Sequence, residues 1–341
     1  MPASTFDVHV VPHTHWDREW YLPLGRFRQR LVALIDELLA LGDRAPRFLL
    51  DGQAIALEDY LAVRPERAVE LGTALRAKRL DAGPWYVLAD ELIPSGEALL
   101  RNLLAGRRTL RALRAEAPPV LYCPDSFGHP AALPALARGF GFPVAVVWRG
   151  YGGSRWPSGD AVRWRHADGS EVVLYHLPRS GYEFGSNLPV DPSESRARWQ
   201  AMRLELGPRS RLGLLLVQNG ADHHALQAEH EAAVQALARA AEPDRVIIAS
   251  LSEFARAVDE RARAAELPVV SGELRDSYGY AWSLQGTFAT RAHEKRRNAH
   301  VERLLVREAE PWSALAARGG GESRRQARPG AAPQPREPLP A

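Results

Sequence analysis

The sequence predicts an α/β protein whose strands form a (β/α) barrel-like parallel sheet, followed by the first helix of a helical bundle. Short apolar, β-branched segments alternate with longer segments of helical period along most of the 341 residues. The short segments are apolar at consecutive positions, which is typical of strands covered on both faces of a parallel sheet. No glycine-rich turn follows the first of them, so a barrel is favoured over an open, doubly wound sheet.

The individual strands and helices follow from the same patterns. Seven segments are predicted strands: 8–11, 48–50, 120–122, 144–148, 172–175, 212–217 and 246–249. Apolar residues at helical spacing from 27 to 41 predict a helix that Gly42 ends. Capping residues predict the starts of three more helices: Ser95, Asp191 before Pro192, and Ser250 with Glu253 three positions later.

The composition predicts three regions along the chain. Residues 1–286 contain the strand and helix repeats and form the predicted barrel domain. Residues 287–317 begin the helical bundle, because 292–317 read as one charged helix with a narrow apolar stripe. Residues 318–341 contain five prolines, four glycines and no aromatic residue, which predicts a disordered tail.

The charge and the single cysteine exclude several classes of partner. The net charge of +3 arises entirely in residues 318–341, which hold five arginines and two glutamates. The pI near 9.2 therefore does not indicate nucleic-acid binding. Cys123 is the only cysteine, so no disulfide forms within the chain. No signal-peptide pattern and no apolar stretch near the roughly 20 residues of a membrane span occur, which predicts a cytoplasmic protein without a membrane partner.

Polar residues follow six of the predicted strands. They are His13, His15 and Asp17 after the first strand, and then Asp51, Asp125, Arg149, His176, and Asn219 with Asp222. The carboxyl ends of parallel strands open on one face of a barrel, where catalytic residues collect. A single loop aspartate is more often a turn or cap residue. Six strand ends that follow the same rule predict one shared site.

The alternation of His13, His15 and Asp17 predicts a metal site. If the chain stays extended there, the three side chains point in one direction. Imidazole nitrogen and carboxylate oxygen both suit Zn²⁺. The alternative is a polar strand end in which a histidine takes part in a hydrogen-bond network.

Two carboxylates, Asp125 and Asp222, predict acid–base chemistry. One carboxylate that stays ionised and one that holds a proton are what hydrolysis of a glycoside requires. Arg149 offers a fixed positive charge to orient the nucleophile or a hydroxyl group, or else it forms an ordinary salt bridge. Trp20 suits stacking on the apolar face of a sugar ring, or it belongs to the core.

These residues lie in motifs that resemble a known family. Residues 12–21, PHTHWDREWY, resemble the opening motif of bacterial α-mannosidases of glycoside hydrolase family 38, and residues 124–129, PDSFGH, resemble its nucleophile motif. Three further segments are supportive: GPWY at 83–86 with Asp90-Glu91, WRG at 148–150 and NGADH at 219–223. The resemblance runs from about Phe6 to Trp312.

The resemblance implies a barrel of the glycoside hydrolase/deacetylase type and a retaining α-mannosidase for terminal α-D-mannosyl residues. One zinc ion would be bound by His15, Asp17 and Asp125 and would hold two sugar hydroxyls. Asp125 would also be the nucleophile that forms a glycosyl-enzyme. Asp222 would protonate the leaving oxygen and then activate water, with the two carboxyl groups about 5–5.5 Å apart.

The same resemblance implies the remaining substrate-binding residues and the ligand. Trp20 and Phe127 would form walls of the sugar subsite, Arg149 would lie near the nucleophile, and His13 would support the zinc ligands from behind. The substrate would be a mannoside or a mannose-containing oligosaccharide. Neither a nucleic acid nor a membrane is expected as a partner, and homo-oligomerisation is left open.

Two departures from the family bear on activity. The family has a further zinc-ligating histidine near the end of its catalytic domain, and residues 278–291 of this chain contain no histidine. Family members also continue into a helical bundle and β-sandwich domains, so a truncated chain is expected here. Two alternatives follow: an inactive truncated fragment, or a metal-dependent hydrolase or deacetylase that uses His13, His15 and Asp17 around an activated water.

Overall fold

The computed structural model of the chain describes residues 5–281 and 288–319. The chain divides into two compact units, with the boundary between Gly286 and Thr287. The first unit contains all the strands of the described residues and the polar strand ends, and the described part of the second unit is helical from Ala292 onwards.

Ten strands in the described part of the first unit form three sheets. The strands are β1 (Asp7–Pro12), β2 (Phe48–Gln53), β3 (Leu80–Trp85), β4 (Val120–Cys123), β5 (Val144–Val147), β6 (Ala161–Arg165), β7 (Glu171–His176), β8 (Leu214–Asn219), β9 (Arg245–Ile248) and β10 (Val269–Ser271). The three-stranded sheet has the order β8-β1-β9, the five-stranded sheet β10-β6-β7-β5-β4, and the two-stranded sheet β2-β3. All pairings are parallel except that of β6 with β7.

Eight helices lie between these strands. They are α1 (Leu24–Ala40), α2 (Ile55–Leu61), α3 (Ala68–Arg76), α4 (Gly96–Ala112), α5 (Leu133–Gly139), α6 (Pro192–Leu206), α7 (His230–Ala241) and α8 (Leu251–Ala264). The four predicted helices are all present. Ser95 caps α4 through the Ala98 N–H, Asp191 caps α6, and the box of Ser250 and Glu253 caps α8.

Apolar strands packed under helices form the core. Every residue of β2 and β8 is buried, as expected for strands covered on both faces. Phe27 and Leu31 of α1 pack in one cluster with Phe48 of β2. Beyond β1, an isolated parallel bridge between His13 and Leu49 connects the first sheet to β2. The α/β class and the parallel sheets are thus confirmed, whereas closure into a barrel stays a prediction.

Three strands were missed by the sequence patterns, for different physical reasons. β3 contains Gly83 and Pro84, which rarely occur inside strands. β6 alternates apolar residues with Arg163 and Arg165 and pairs antiparallel to β7, so it does not have the continuous apolar pattern of a buried parallel strand. β10 has only three residues.

The described part of the second unit consists of α9 (Ala292–Leu304), a π-helical turn (Leu305–Ala309) and α10 (Glu310–Gly319). Residues 292–317, predicted as a single helix, are therefore helical throughout, with a π-helical turn between two α-helical segments. Its place in a helical bundle stays a prediction, and residues 320–341 of the predicted tail lie outside the described residues. Among the described helices, none combines the length and the apolarity that crossing a bilayer requires.

Candidate active site

The site is formed where the chain leaves β1 and β8. The chain stays extended after β1, so that His13 bridges Leu49 and His15 bridges Asp222, both in parallel register. Gly220 permits this close approach, because a Cβ there would lie 1.8 Å from the His13 carbonyl oxygen. Asp222 is thereby brought beside His15, as the shared strand-end rule predicts.

A buried carboxylate orients the His15 ring. The Nδ1 of His15 lies 3.3 Å from the Asp51 carboxylate, which is fully buried. The same carboxylate accepts hydrogen bonds from the backbone N–H groups of Gly52 and Trp16, at 2.6 and 2.9 Å. The other ring nitrogen, Nε2, lies 3.7 Å from Asp17. A carboxylate behind a histidine is the arrangement that fixes metal-ligating imidazoles in proteins.

His15, Asp17 and Asp222 together fit a divalent cation. Each offers one ligand atom, and these atoms all lie within 4.8 Å of one another. Burial disfavours a charged imidazole, but the carboxylates of Asp51 and Asp17 outweigh it and raise the pKa of His15 well above its ordinary value. The site therefore favours positive charge. One nitrogen and two carboxylate oxygens are a donor set that zinc accepts.

Asp125 is held in a different way, by a permanent cation. It follows β4, and Arg149 follows the adjacent parallel strand β5, so the two residues meet at one sheet end. The Nε of Arg149 donates to the Oδ1 of Asp125 at 2.6 Å. The guanidinium also lies over the Trp148 ring, 3.8 Å from its centroid. Burial raises the pKa of the Asp125 carboxyl, and the charges of His15 and Arg149 counteract only part of that rise.

Tyr182 is bonded to one of the two carboxylates, Asp222, and was missed by sequence reasoning. Its hydroxyl donates to the Oδ1 of Asp222 at 2.8 Å, and its ring centroid lies 5.0 Å from that of His15. Burial and the negative charges of Asp125 and Asp222 raise the pKa of Tyr182, so the phenol stays protonated. The negative charges of both carboxylates therefore raise the pKa of this phenol, and Asp222 accepts its hydrogen bond. The only sequence signal was its position in the loop after β7.

His13 lies behind the site. Its side chain is fully buried, and its Nε2 donates to the Tyr182 carbonyl oxygen at 2.9 Å. Burial lowers the pKa of His13 to about 4, so the ring is neutral near pH 7. Its Nδ1 has no hydrogen-bond partner among the described residues. The structure thus places His13 as a support for the Tyr182 backbone.

The aromatic residues of the opening motif divide into core and surface. Trp16 is buried and packs edge-on against Phe27 of α1. Trp20 is 64% exposed and is stacked 6.3 Å from the His223 ring. Phe127 is half-buried and has the Arg149 guanidinium 5.4 Å from its ring centroid. Trp20 and Phe127 thus both offer ring surface beside the polar groups.

Two of the polar strand ends serve the scaffold. The Nε2 of His176 donates to the Trp148 carbonyl oxygen at 2.9 Å, and its ring is fully buried. The amide of Asn219 donates to Gln227 at 3.0 Å and contacts His230. A position at the end of a strand therefore does not by itself distinguish a site residue from one that stabilises a loop.

A second group of possible ligands, Glu91, Cys123 and His129, is buried beneath the Asp125 loop. The Nδ1 of His129 lies 2.8 Å from the Glu91 carboxylate, and its Nε2 lies 3.1 Å from the Arg149 carbonyl oxygen. Burial raises the pKa of the Cys123 thiol, which is thus held in its neutral form.

Known proteins share the sequence of the unit that forms this site. The sequence model of the Glycosyl hydrolases family 38 N-terminal domain matches residues 5–273, and so nearly the whole first unit. The chain belongs to this family. The matched residues include Asp125 and Arg149 as well as His15, Asp17 and Asp222. The family resemblance of the motifs at 12–21 and 124–129 is therefore confirmed.

Family 38 relatives agree with this membership. A protein of Halalkalibacterium halodurans named as a mannosylglycerate hydrolase is 32% identical over 90% of this chain and 36% of its own length. Human alpha-mannosidase 2C1 is 28% identical over 52% of this chain and 18% of its own length. The crystal structure of an alpha-mannosidase from Enterococcus faecalis V583 matches 79% of this chain and 31% of its own, with a TM-score of 0.73 and 29% identity. The chain therefore spans about a third of these bacterial proteins.

Proposed function

We propose that this chain is the catalytic region of a zinc-dependent retaining α-mannosidase that hydrolyses terminal α-D-mannosyl residues. The observation that carries the proposal is the different environment of the two carboxylates. Asp125 is paired with a guanidinium, whereas Asp222 accepts a phenolic hydrogen bond. A nucleophile that stays ionised and a second carboxyl that exchanges a proton are the two roles of a double displacement.

Asp125 is the proposed nucleophile. Arg149 holds one carboxylate oxygen, which leaves the other free to attack the anomeric carbon. The bond from that carbon to the leaving oxygen breaks as the ester to Asp125 forms. The fixed guanidinium favours the ionised carboxylate before attack and again when the ester is hydrolysed.

Asp222 is the proposed acid and base. The Tyr182 hydroxyl binds its Oδ1, so the Oδ2 is available to give a proton to the leaving oxygen. After the aglycone departs, the same oxygen takes a proton from the water that attacks the ester. The configuration at the anomeric carbon is inverted twice and thus retained.

His15 and Asp17 would hold the metal ion. When bound, zinc supplies a Lewis-acid centre that sugar hydroxyls can occupy. The third ligand distinguishes two arrangements, since the family resemblance implies Asp125 whereas the structure gathers Asp222. Asp125 as ligand fits the proposal better, because a metal-bound carboxylate is a poor proton carrier. Zinc content of Asp125→Asn and Asp222→Asn separates the two arrangements: the variant that loses zinc identifies the ligand.

The proposed ligand is a neutral sugar whose ring lies between Trp20 and Phe127. Exposed ring faces next to polar groups suit the apolar face of a pyranose. The names of the relatives suggest mannosides with different aglycones, so the assay compares an aryl α-mannoside with mannosylglycerate. The proposal includes a cytoplasmic location.

The test is hydrolysis of the aryl α-mannoside by the full chain with zinc present. We expect turnover in the wild type, none measurable in Asp125→Ala, and covalent labelling of Asp125 by a fluorinated mannosyl reagent. Asp43→Ala is the matched control, because Asp43 is a fully exposed aspartate with only a 3.9 Å ion pair. Activity that survives Asp125→Ala contradicts the proposal, and metal-dependent activity without labelling favours an activated-water hydrolase. A folded, zinc-binding chain without activity identifies the inactive fragment.

A further inference from the structure

Two separate connections join the Asp125 loop to the Arg149 loop. The first is the side-chain bond from the Nε of Arg149 to Asp125. The second lies behind it, where the Nε2 of His129 meets the carbonyl oxygen of the same Arg149 at 3.1 Å. His129 follows Asp125 by four residues, so each loop contributes one end of both connections.

The hydrogen-bond roles at His129 are fixed by its partners. A carbonyl oxygen only accepts, so the Nε2 of His129 carries a hydrogen and donates it to Arg149. The opposite nitrogen, Nδ1, faces the Glu91 carboxyl at 2.8 Å, and both side chains are at most 2% exposed. Glu91 comes from a third segment, between β3 and α4, and thus holds the ring from the far side. Both ring nitrogens are thus engaged, and a proton shared between His129 and Glu91 holds the ring, while the Oε1 of Glu91 has no hydrogen-bond partner among the described residues.

The backbone around this pair leaves little room for movement. His129 also exchanges two backbone hydrogen bonds with Leu274, at 2.8 and 3.0 Å. A Cβ on Gly150 would lie 3.1 Å from the Cα of Gly128 and 2.5 Å from the Leu274 carbonyl oxygen, so the loops touch directly. A displaced Arg149 carbonyl would carry its side chain away from Asp125.

From this geometry we propose that Glu91 and His129 are positioning residues that set the Arg149 guanidinium on Asp125. The inference rests on the proposed function only for its consequence in catalysis. Glu91 fixes the His129 ring, His129 fixes the Arg149 carbonyl, and Arg149 thereby holds the nucleophile. Misplacement of a catalytic pair by a distant change costs about 100-fold in rate at the upper end.

The first test is a double-mutant cycle on aryl α-mannoside turnover. We expect Glu91→Ala to lower kcat about 10- to 100-fold with little change in KM, because the reacting pair loses alignment. Glu91→Gln keeps a donor to Nδ1 and retains most of the activity. In an Arg149→Ala background, Glu91→Ala adds less than about threefold, since there is no guanidinium left to misplace. Equal losses in both backgrounds would overturn the proposal.

The second test needs no activity, so it separates this inference from the proposed function. The Arg149 Nε–H gives a nitrogen–proton NMR signal that its bond to Asp125 protects from solvent exchange, and Arg149→Lys assigns it. We expect protection in the wild type and in Glu91→Gln, and fast exchange in Glu91→Ala. His9→Gln, a buried histidine change on β1 away from these loops, should leave the signal intact. An unchanged signal in folded Glu91→Ala would refute the positioning role even if the chain is inactive.

Discussion

The three-stranded and five-stranded sheets present their carboxylates in opposite electrostatic settings. At the end of the five-stranded sheet, Asp125 has a guanidinium bonded to it. At the end of the three-stranded sheet, Asp17 and Asp222 both lie near the His15 imidazole, and Asp17 also lies 3.9 Å from His223. Within the described residues, neither aspartate forms an ion pair with an arginine or a lysine. One sheet end therefore supplies its own positive charge, and the other favours a cation from outside.

The difference explains why a single strand-end rule produces two kinds of chemistry. The permanent cation favours the ionised form of Asp125 against the rise in its pKa that burial causes, which suits a nucleophile. An imidazole backed by a buried carboxylate and flanked by others suits a metal ion. The Tyr182 hydroxyl donates a hydrogen bond to Asp222, the carboxylate on the side that has no permanent cation.

The largest expected effect comes from removing the acid and base. Asp222→Ala should lower kcat about 10²- to 10⁴-fold on a mannoside with a poor leaving group. The loss should shrink strongly on a mannosyl fluoride, because that leaving group departs without a proton. Initial rates on both substrates, with azide added as an external nucleophile, measure the difference. A loss of equal size on both substrates would assign Asp222 to metal binding instead.

The next effect separates the two sheet ends through the metal. Asp51→Asn removes the charge that orients His15, and it should lower zinc affinity or activity about 10- to 100-fold. Arg149→Lys, on the other sheet, keeps a positive charge beside Asp125, so it should lower activity while zinc affinity falls less than in Asp51→Asn. Competition with a chelator measures both. Comparable loss of zinc in the two variants would remove the electrostatic distinction between the sheet ends.

An effect of similar size is expected at Tyr182, whose hydroxyl donates to Asp222. Tyr182→Phe removes one hydrogen bond to a carboxylate, which is worth about 1.5–3 kcal/mol, or roughly 10- to 100-fold. Because the ring and its carbonyl remain, the contact with His13 should persist and the fold should be retained. The kcat of Tyr182→Phe on poor leaving groups measures the effect. Full activity would mean that Asp222 does not need the phenol.

The sequence predicted most of the residues at the candidate site but fewer of the hydrogen bonds that hold them. Strand-end position and motif resemblance identified His15, Asp17, Asp125, Arg149 and Asp222, which the structure gathers into two adjoining clusters. The hydroxyl of Tyr182 was missed because a loop tyrosine has no pattern of its own. Similarly, β3 and β6 were missed, because a glycine–proline pair in the first and alternating arginines in the second depart from the patterns of a buried parallel strand.

The two sheets also differ in how their stability responds to pH, with no expected effect on the chemistry at neutral pH. His9 lies on β1 of the three-stranded sheet, and burial lowers its pKa to about 4. The unfolded chain takes up a proton near pH 6.5 and the folded chain does not, so stability falls as pH drops below that value. Asp160 precedes β6 of the five-stranded sheet, and burial raises its pKa to about 6. Its unfolded form ionises first, so its contribution to stability falls as pH rises from 4 through 6.

Each of these pH-dependent contributions to stability should disappear when the residue that causes it is replaced. Relative to the wild type, His9→Gln should gain about 1–2 kcal/mol of unfolding free energy between pH 7.5 and 5, and Asp160→Asn should gain a similar amount between pH 4 and 6.5. Asparagine can still accept the Arg211 N–H that bonds Asp160 at 3.0 Å, so the variant remains comparable with the wild type. Urea unfolding across this pH range measures, for each variant, how its unfolding free energy relative to the wild type changes with pH. Titrations that variant and wild type have in common cancel in this difference. Slopes of the same sign for the two variants would contradict the assignment, because a buried histidine and a buried carboxyl destabilise the fold at opposite ends of the range.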